Sequence, residues 1–241
     1  MKSAPNPTNL IGNNIASVRK RISEAALQCG RQPESIQLLA VSKTRPADFI
    51  RAASDYRQVD FGENYIKEAH EKIAQLRDLP LNWHFIGQIQ SNKTALLATH
   101  FSWIHTLSSL KAARRLHDQS QDRAERLKVL IQINVSRDPA KNGLLPEGLF
   151  PFLDSLLSFD NLALRGLMTL PAFSESRTAQ QTPFRQLREL LESARDKYGS
   201  DLAEFDQLSM GMSQDMEAAI AQGATWVRIG TDLFGARNSG P

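Results

Sequence analysis

The strongest constraint in this chain is an alternation. Short apolar runs bounded by turn residues are followed, repeatedly, by segments whose apolar residues recur at helical spacing. Strands are expected at about 36–42, 59–62, 82–87, 103–106, 128–135, 162–168, 205–209 and 225–230. Helices are expected between them, at 46–56, 63–77, 92–99, 107–126, 146–158, 173–198 with a break at Pro183, and 213–221 with Ser213 as N-cap. One more helical turn fits 231–236, and a helix at 9–30, stopped by Gly30, stands in front. Strands that alternate with helices imply a parallel sheet with right-handed crossovers. Eight such units in a chain of 241 residues predict a single α/β (β/α)8 TIM barrel with an extra N-terminal helix. A doubly wound open sheet is the alternative. Residues 1–8 read as a loose tail and 9–241 as one domain.

Composition excludes several classes. A net charge of +3 without a run of five like charges argues against a nucleic-acid surface. Cys29 is the single cysteine, so no disulfide framework forms within one chain, which suits a reducing compartment. Met1 to Asn9 is polar and lacks the apolar centre of a signal peptide, and no segment approaches the ~18 apolar residues of a membrane span. A cytoplasmic protein with no membrane partner is expected.

Chemistry starts at Leu38-Leu39-Ala40-Val41-Ser42-Lys43, an apolar run that delivers a lysine to the carboxyl end of an interior strand. Ligands bind at that end of barrels and open α/β sheets. A lysine partly withdrawn from water there can act as a nucleophile or form a Schiff base. The alternative, from this stretch alone, is a lysine that points into solvent. The loops after the last two strands carry Ser209-Met210-Gly211 and Gly230-Thr231. Barrels often hold phosphate in those loops, where glycine admits an anion close to the backbone and hydroxyls donate to it. Ordinary turn chemistry is the competing reading for either loop. A phosphate cradle and a strand-end lysine across the barrel suggest pyridoxal 5′-phosphate (PLP), with its aldehyde on Lys43 and its phosphate at Ser209, Gly211, Gly230 and Thr231. Arg228, two residues before Gly230, would reach the ring nitrogen and oppose its protonation.

The blocks Val-Ser-Lys at 41–43, Phe-Gly-Glu-Asn at 61–64, Trp-His-Phe-Ile-Gly at 83–87, Arg-Gly-Leu-Met at 165–168, Leu-Ser-Met-Gly-Met-Ser at 208–213 and Val-Arg-Ile-Gly-Thr at 227–231 stand in one order. Together they resemble the pyridoxal phosphate homeostasis proteins, from about residue 10 to 237. The resemblance implies a type III PLP fold, similar to the N-terminal barrel of alanine racemase. It implies Lys43 as the Schiff-base lysine, Arg228 at the pyridine nitrogen, Ser209, Gly230 and Thr231 at the phosphate, and Asn64 beside the ring. Met210 and Gly211 complete the expected cofactor-binding set, Lys141 falls where the family carries a lysine, and Gln88 is expected at the rim.

The remaining candidates carry bland expectations. His84 reads as a core or rim histidine. His70, His100, His105 and His117 lack metal-ligand spacing, so no metal is expected. Met210, Met212 and Met216 read as packing, Cys29 as inert, and Arg114 to Arg126 as a solvated helix face. The function implied by the resemblance is PLP homeostasis: the cofactor is held, buffered or passed to apo PLP-dependent enzymes without turnover, by a monomer with no catalytic residue. An amino-acid racemase is the alternative. It needs two proton-transfer groups on opposite faces of the substrate carbon, and racemases draw the second, a tyrosine, from another domain. Tyr56, Tyr65 and Tyr198 all fall in expected helices. A Schiff-base aldolase is a third reading and would show no vitamin B6 absorbance.

Overall fold

The strands are buried almost continuously, on both faces, as a closed sheet requires. The computed structural model describes residues 7–172 and 176–236. Strands β1 (Gln37–Val41), β2 (Asp60–Glu63), β3 (Asn82–Phe85), β4 (Trp103–Leu107), β5 (Leu127–Gln132), β6 (Leu162–Met168), β7 (Gln207–Ser209) and β8 (Trp226–Ile229) form a closed barrel in chain order. All the ladders are parallel, and β1 pairs directly with β8, Leu39 opposite Arg228. Helices follow the strands: α1 (Pro7–Gln28) in front, then α2 (Ala47–Ser54), α3 (Ile66–Gln75), α4 (Thr94–His100), α5 (Leu110–Asp118), α6 (Leu149–Leu156), α7 (Arg177–Tyr198), α8 (Met216–Ala221) and the single turn α9 (Thr231–Phe234). This is the TIM barrel with an N-terminal helix that the alternation predicts, and the open-sheet alternative falls. Lys43 and the Gly230 loop are neighbours around the rim, because the first strand lies beside the last.

Two cores result. The larger fills the layer between sheet and helices, with Ala40, Phe61, Phe85, Ile104, Val129, Leu167, Leu208 and Val227 facing outward from the strands. The smaller lies inside the barrel and joins Leu39, Trp103, Leu130, Met168 and Trp226. The period of two along each strand separates the sets. Helix α1 packs Ile11, Ile15, Val18 and Ile22 into the outer layer, and its C-terminus closes with the Gly30 amide on the Leu27 carbonyl (3.1 Å) and the Arg31 amide on that of Ala26 (2.9 Å).

Several boundaries differ from the sequence reading. Helix α1 begins at Pro7, inside the stretch read as a tail, while residues 1–6 and Phe173 lie outside the described residues. Helix α5 stops at Asp118, far short of Arg126: the Ser120 amide bonds the His117 carbonyl (3.1 Å) and the Arg123 amide that of Ser120 (3.3 Å), so the chain turns before β5 begins at Leu127. Strand β5 ends at Gln132, because Asn134 turns the chain: its Nδ2 donates to the carbonyls of Asp138 (2.8 Å) and Lys141 (3.2 Å). Helix α7 runs through Pro183. Helix α8 starts at Met216, after Asp215, so Ser213 is not its cap.

One backbone position holds a register change. The β5–β6 pairing shifts between Val129 and Leu130, where Gly166 sits at φ +144 with the Gln207 backbone against its α-carbon. A side chain there meets both a disfavoured conformation and a backbone oxygen. Gly166→Ala is expected to lower the unfolding free energy by on the order of 3 kcal/mol. Urea unfolding measures it, and a loss below about 1 kcal/mol would mean that the neighbouring strand yields freely.

Candidate functional site

The carboxyl ends of the strands open into a cavity of about 420 Å³. That volume suits a small molecule rather than a polymer. Lys43 lines it from the turn after β1, Asn64 from the end of β2, and Arg228 from β8, with Gly230 and Thr231 beyond. Met212, Ser213 and Gln214 line it from the loop after β7.

The Lys43 turn is held from below. Ser42 Oγ donates to Glu63 Oε1 (2.6 Å), and Lys72 Nζ, arriving from α3, donates to the Ser42 carbonyl (2.7 Å), Glu63 Oε1 (2.7 Å) and Glu68 Oε1 (2.6 Å). The Thr44 amide also meets Glu68 Oε1 (2.5 Å), which fixes Thr44 at φ +63. Burial raises the Glu63 carboxyl above its ordinary range, and Lys72 and Ser42 oppose that rise. The Asn64 Oδ1 atom is buried without a partner among the described residues. An unpaired amide oxygen of that kind costs about 1–3 kcal/mol, which a polar ligand in the cavity would relieve.

Two loops tied by α1 build the wall that follows β7 and β8. Asp215 closes the first loop: its Oδ1 accepts from the Met212 amide (2.6 Å), and its own amide donates to the Met212 carbonyl (3.1 Å). Gly230 and Thr231 open α9, whose leading amides have no acceptor within the helix. Arg21 of α1 ties the loops together. Its Nη2 donates to the Ser213 carbonyl (3.1 Å), its Nη1 to Asp232 (2.7 Å) and its Nε to Glu217 (2.9 Å).

Of the residues expected from sequence, Lys43, Asn64, Arg228, Gly230 and Thr231 come together, and Ser209, Met210 and Gly211 do not line the cavity. Ser209 faces the barrel interior, where its Oγ meets Arg228 Nη1 (2.9 Å) and His105 Nδ1 (2.9 Å). Met210, one residue on, faces outward into the sheet–helix core. Gly211 takes φ +91 against Ala219 of α8, and so turns the chain back to bring Met212 and Ser213 to the mouth. The second serine of Ser-Met-Gly-Met-Ser, read as a helix cap, is therefore the one at the cavity. Lys141 donates to the Leu170 carbonyl (3.0 Å) on the rim, and Gln88 is exposed away from the cavity. Among the described residues no three potential metal ligands gather, although His70 and His100 pair at the surface (3.0 Å).

His84 is the core histidine that the sequence reading expected, but its link to His105 was passed over. His84 and His105 are fully buried and bonded to each other, Nδ1 to Nε2, at 3.0 Å. His84 Nε2 lies 3.1 Å from Asp60 Oδ1 and its ring stacks on Trp103. Burial pushes both imidazoles down, His105 well below the ordinary value, with His84 and Arg228 adding to the effect on His105. Burial also brings the Arg228 guanidinium down to about 10, which leaves it charged at neutral pH. Arg228 Nη2 donates to the Thr169 carbonyl (2.9 Å), so both terminal nitrogens are engaged.

Comparison with known proteins places this geometry. Residues 13–238 match the family described as alanine racemase, N-terminal domain. Pyridoxal phosphate homeostasis proteins of Pseudomonas aeruginosa and Escherichia coli K12 are 52% and 46% identical over 95% of this chain, spanning 97% and 98% of their own. The chain belongs to the pyridoxal phosphate homeostasis protein family. PipY of Synechococcus elongatus, solved with PLP bound, matches 93% of this chain and 100% of its own with 37% identity and a TM-score of 0.82. An alanine racemase of Clostridium difficile superposes with a TM-score of 0.69 at 17% identity, over 96% of this chain and 58% of the racemase, and shares the fold. Among the described residues no helix is long and apolar enough to cross a membrane.

The buried histidines set an acid limit on stability. Their native pKa values lie below the unfolded value near 6.5, so the unfolded chain binds protons that the barrel refuses. Stability present above about pH 6.5 is lost as pH falls, by up to ~1.4 kcal/mol per pH unit for each histidine. Urea unfolding at about pH 7.5 and about pH 5 tests this, and His105→Gln is expected to flatten the dependence. Equal dependence in the variant would place the acid limit elsewhere.

Proposed function

We propose that this family member binds PLP in the cavity at the carboxyl ends of the strands and serves PLP homeostasis as a carrier or buffer without turnover. The observation that carries the reading is the convergence of one lysine, one charged guanidinium and two loops joined by Arg21 on a single small cavity. PLP supplies an aldehyde that condenses with a primary amine and releases water. Lys43 is the residue proposed to supply that amine. Arg228 is proposed to face the pyridine nitrogen, where a guanidinium that stays charged opposes a second positive charge on the ring. Ser213, Gly230 and Thr231 are proposed to take the phosphate, and the Asn64 amide to meet the ring's polar edge. Ser209 is placed in this reading behind Arg228 rather than at the phosphate, and Met210 and Gly211 as packing and turn residues that bring Ser213 to the mouth.

The absence of turnover is supported by the lining of the cavity. Among the described residues that line it there is no tyrosine, histidine or cysteine, and its two carboxylates are engaged, Asp215 by the Met212 amide and Asp232 by Arg21. A racemase needs a proton-transfer group on each face of the substrate carbon. In the proposed role the chain works as a monomer in the cytoplasm, a reducing compartment that suits an exposed free Cys29, and passes PLP to apo PLP-dependent enzymes.

Borohydride reduction of the PLP-treated protein, followed by peptide mass spectrometry, tests the anchor. A reduced pyridoxyl group on Lys43 is expected, with none in Lys43→Ala; a group retained on another lysine would overturn the assignment. Arg21→Ala tests the anion loops from a distance. PLP affinity is expected to fall by about tenfold, the effect of loosening about one hydrogen bond, while affinity for pyridoxal, which lacks the phosphate, changes little. An equal loss for both ligands would remove Arg21 from the phosphate end.

A further inference from the structure

The barrel interior contains a continuous polar chain that runs from one end of the barrel toward the other. Asp60 stands at the amino end of β2, beside a second cavity lined by Arg19, Gln37 and Gln58. From it the contacts run Asp60 Oδ1 to His84 Nε2 (3.1 Å), His84 Nδ1 to His105 Nε2 (3.0 Å), His105 Nδ1 to Ser209 Oγ (2.9 Å) and Ser209 Oγ to Arg228 Nη1 (2.9 Å). Arg228 then lines the cavity at the opposite end. TIM-barrel interiors are dominated by bulky branched apolar side chains, so five strands giving polar residues to one line is a specific arrangement.

The polarity of the chain follows from its ends. Arg228 only donates, so Ser209 Oγ accepts from it and has its own proton left to give. That proton goes to His105 Nδ1. A neutral His105 then carries its proton on Nε2 and donates to His84 Nδ1, and a neutral His84 donates from Nε2 to Asp60. Asn82 Nδ2 also donates to Asp60 Oδ1 (2.9 Å), which fits an acceptor there. With the opposite tautomers, the His84 Nε2 lone pair would face the carboxylate and the Ser209 proton would have no acceptor. For two neutral rings, one arrangement alone satisfies every link.

We propose that Asp60, His84 and His105 are positioning residues that act through Ser209 to fix the Arg228 guanidinium toward the cofactor site. They touch no ligand. The carboxylate at the far end selects both tautomers, the tautomers turn the Ser209 lone pairs to Arg228, and the Thr169 carbonyl holds its second nitrogen. The orientation of the guanidinium plane is thereby set from the opposite end of the barrel. This rests on the PLP reading given above, since that reading supplies what Arg228 faces.

The first test needs no cofactor. Long-range 1H–15N NMR of the ligand-free protein near neutral pH is expected to show His84 and His105 both as Nε2–H tautomers. An Nδ1–H or charged form of either overturns the chain, whether or not any variant folds. The second test compares PLP binding in the wild type, His105→Leu, His105→Gln and Asp60→Asn, after circular dichroism confirms folding. Glutamine keeps one acceptor and one donor, so it is expected to retain near wild-type affinity and absorbance. Leucine is expected to weaken PLP about tenfold and displace the absorbance band, and Asp60→Asn to mix the tautomers. A wild type that binds PLP, with His105→Leu indistinguishable from it, overturns the positioning role alone. A wild type that takes up no PLP overturns the cofactor reading, and with it the destination of the chain.

Discussion

The ladder between β1 and β8 is the contact on which the site depends. Leu39 lies opposite Arg228 in it, so closing the barrel sets the lysine that follows β1 beside the arginine, glycine and threonine that end β8. Nearly two hundred residues separate these groups in the chain, and each is ordinary at the end of its own strand. Their meaning comes from adjacency, and adjacency comes from eight strands whose alternate residues must be buried on both faces.

Around that seam the molecule supports the residues that line the cavity from outside it. The Lys43 turn rests on Glu63 and Lys72, which reach it from β2 and α3. The loops after β7 and β8 rest on Arg21, which belongs to the helix that precedes the barrel. Arg228 rests on Ser209 and Thr169. Side chains held at several points lose little freedom when a ligand arrives, so more of the contact energy remains as affinity. The N-terminal helix is thus part of the site's support as well as a cover for the outer layer.

Much of this was legible in the sequence, for identifiable reasons. Continuous apolar runs mark two-sided burial, and they placed the strands, the barrel and Lys43. Glycine beside a hydroxyl at a strand end marked Gly230 and Thr231. The loop after β7 was read as a unit, and there the period of two decides the outcome: Ser209 turns inward, Met210 outward, and Gly211 reverses the chain to deliver Ser213. The interior chain was not legible, because Asp60, His84, His105 and Ser209 lie on four strands and meet only through register. Arg21 was equally silent, since a basic residue on the polar face of a helix looks the same whether it faces water or carboxylates 196 and 211 positions away.

The buried Lys72 has a bearing on chemoselectivity. Its nitrogen bonds the carbonyl of Ser42, the residue next to Lys43, so two amines stand close to one cavity. The ammonium group of Lys72 spends all three of its N–H bonds on three acceptors, at 2.6–2.7 Å. A nitrogen so engaged has no lone pair to offer an electrophile. The same carboxylates that brace the turn therefore hold Lys72 back from any carbonyl chemistry in the cavity, although its nitrogen lies next to the turn that carries Lys43.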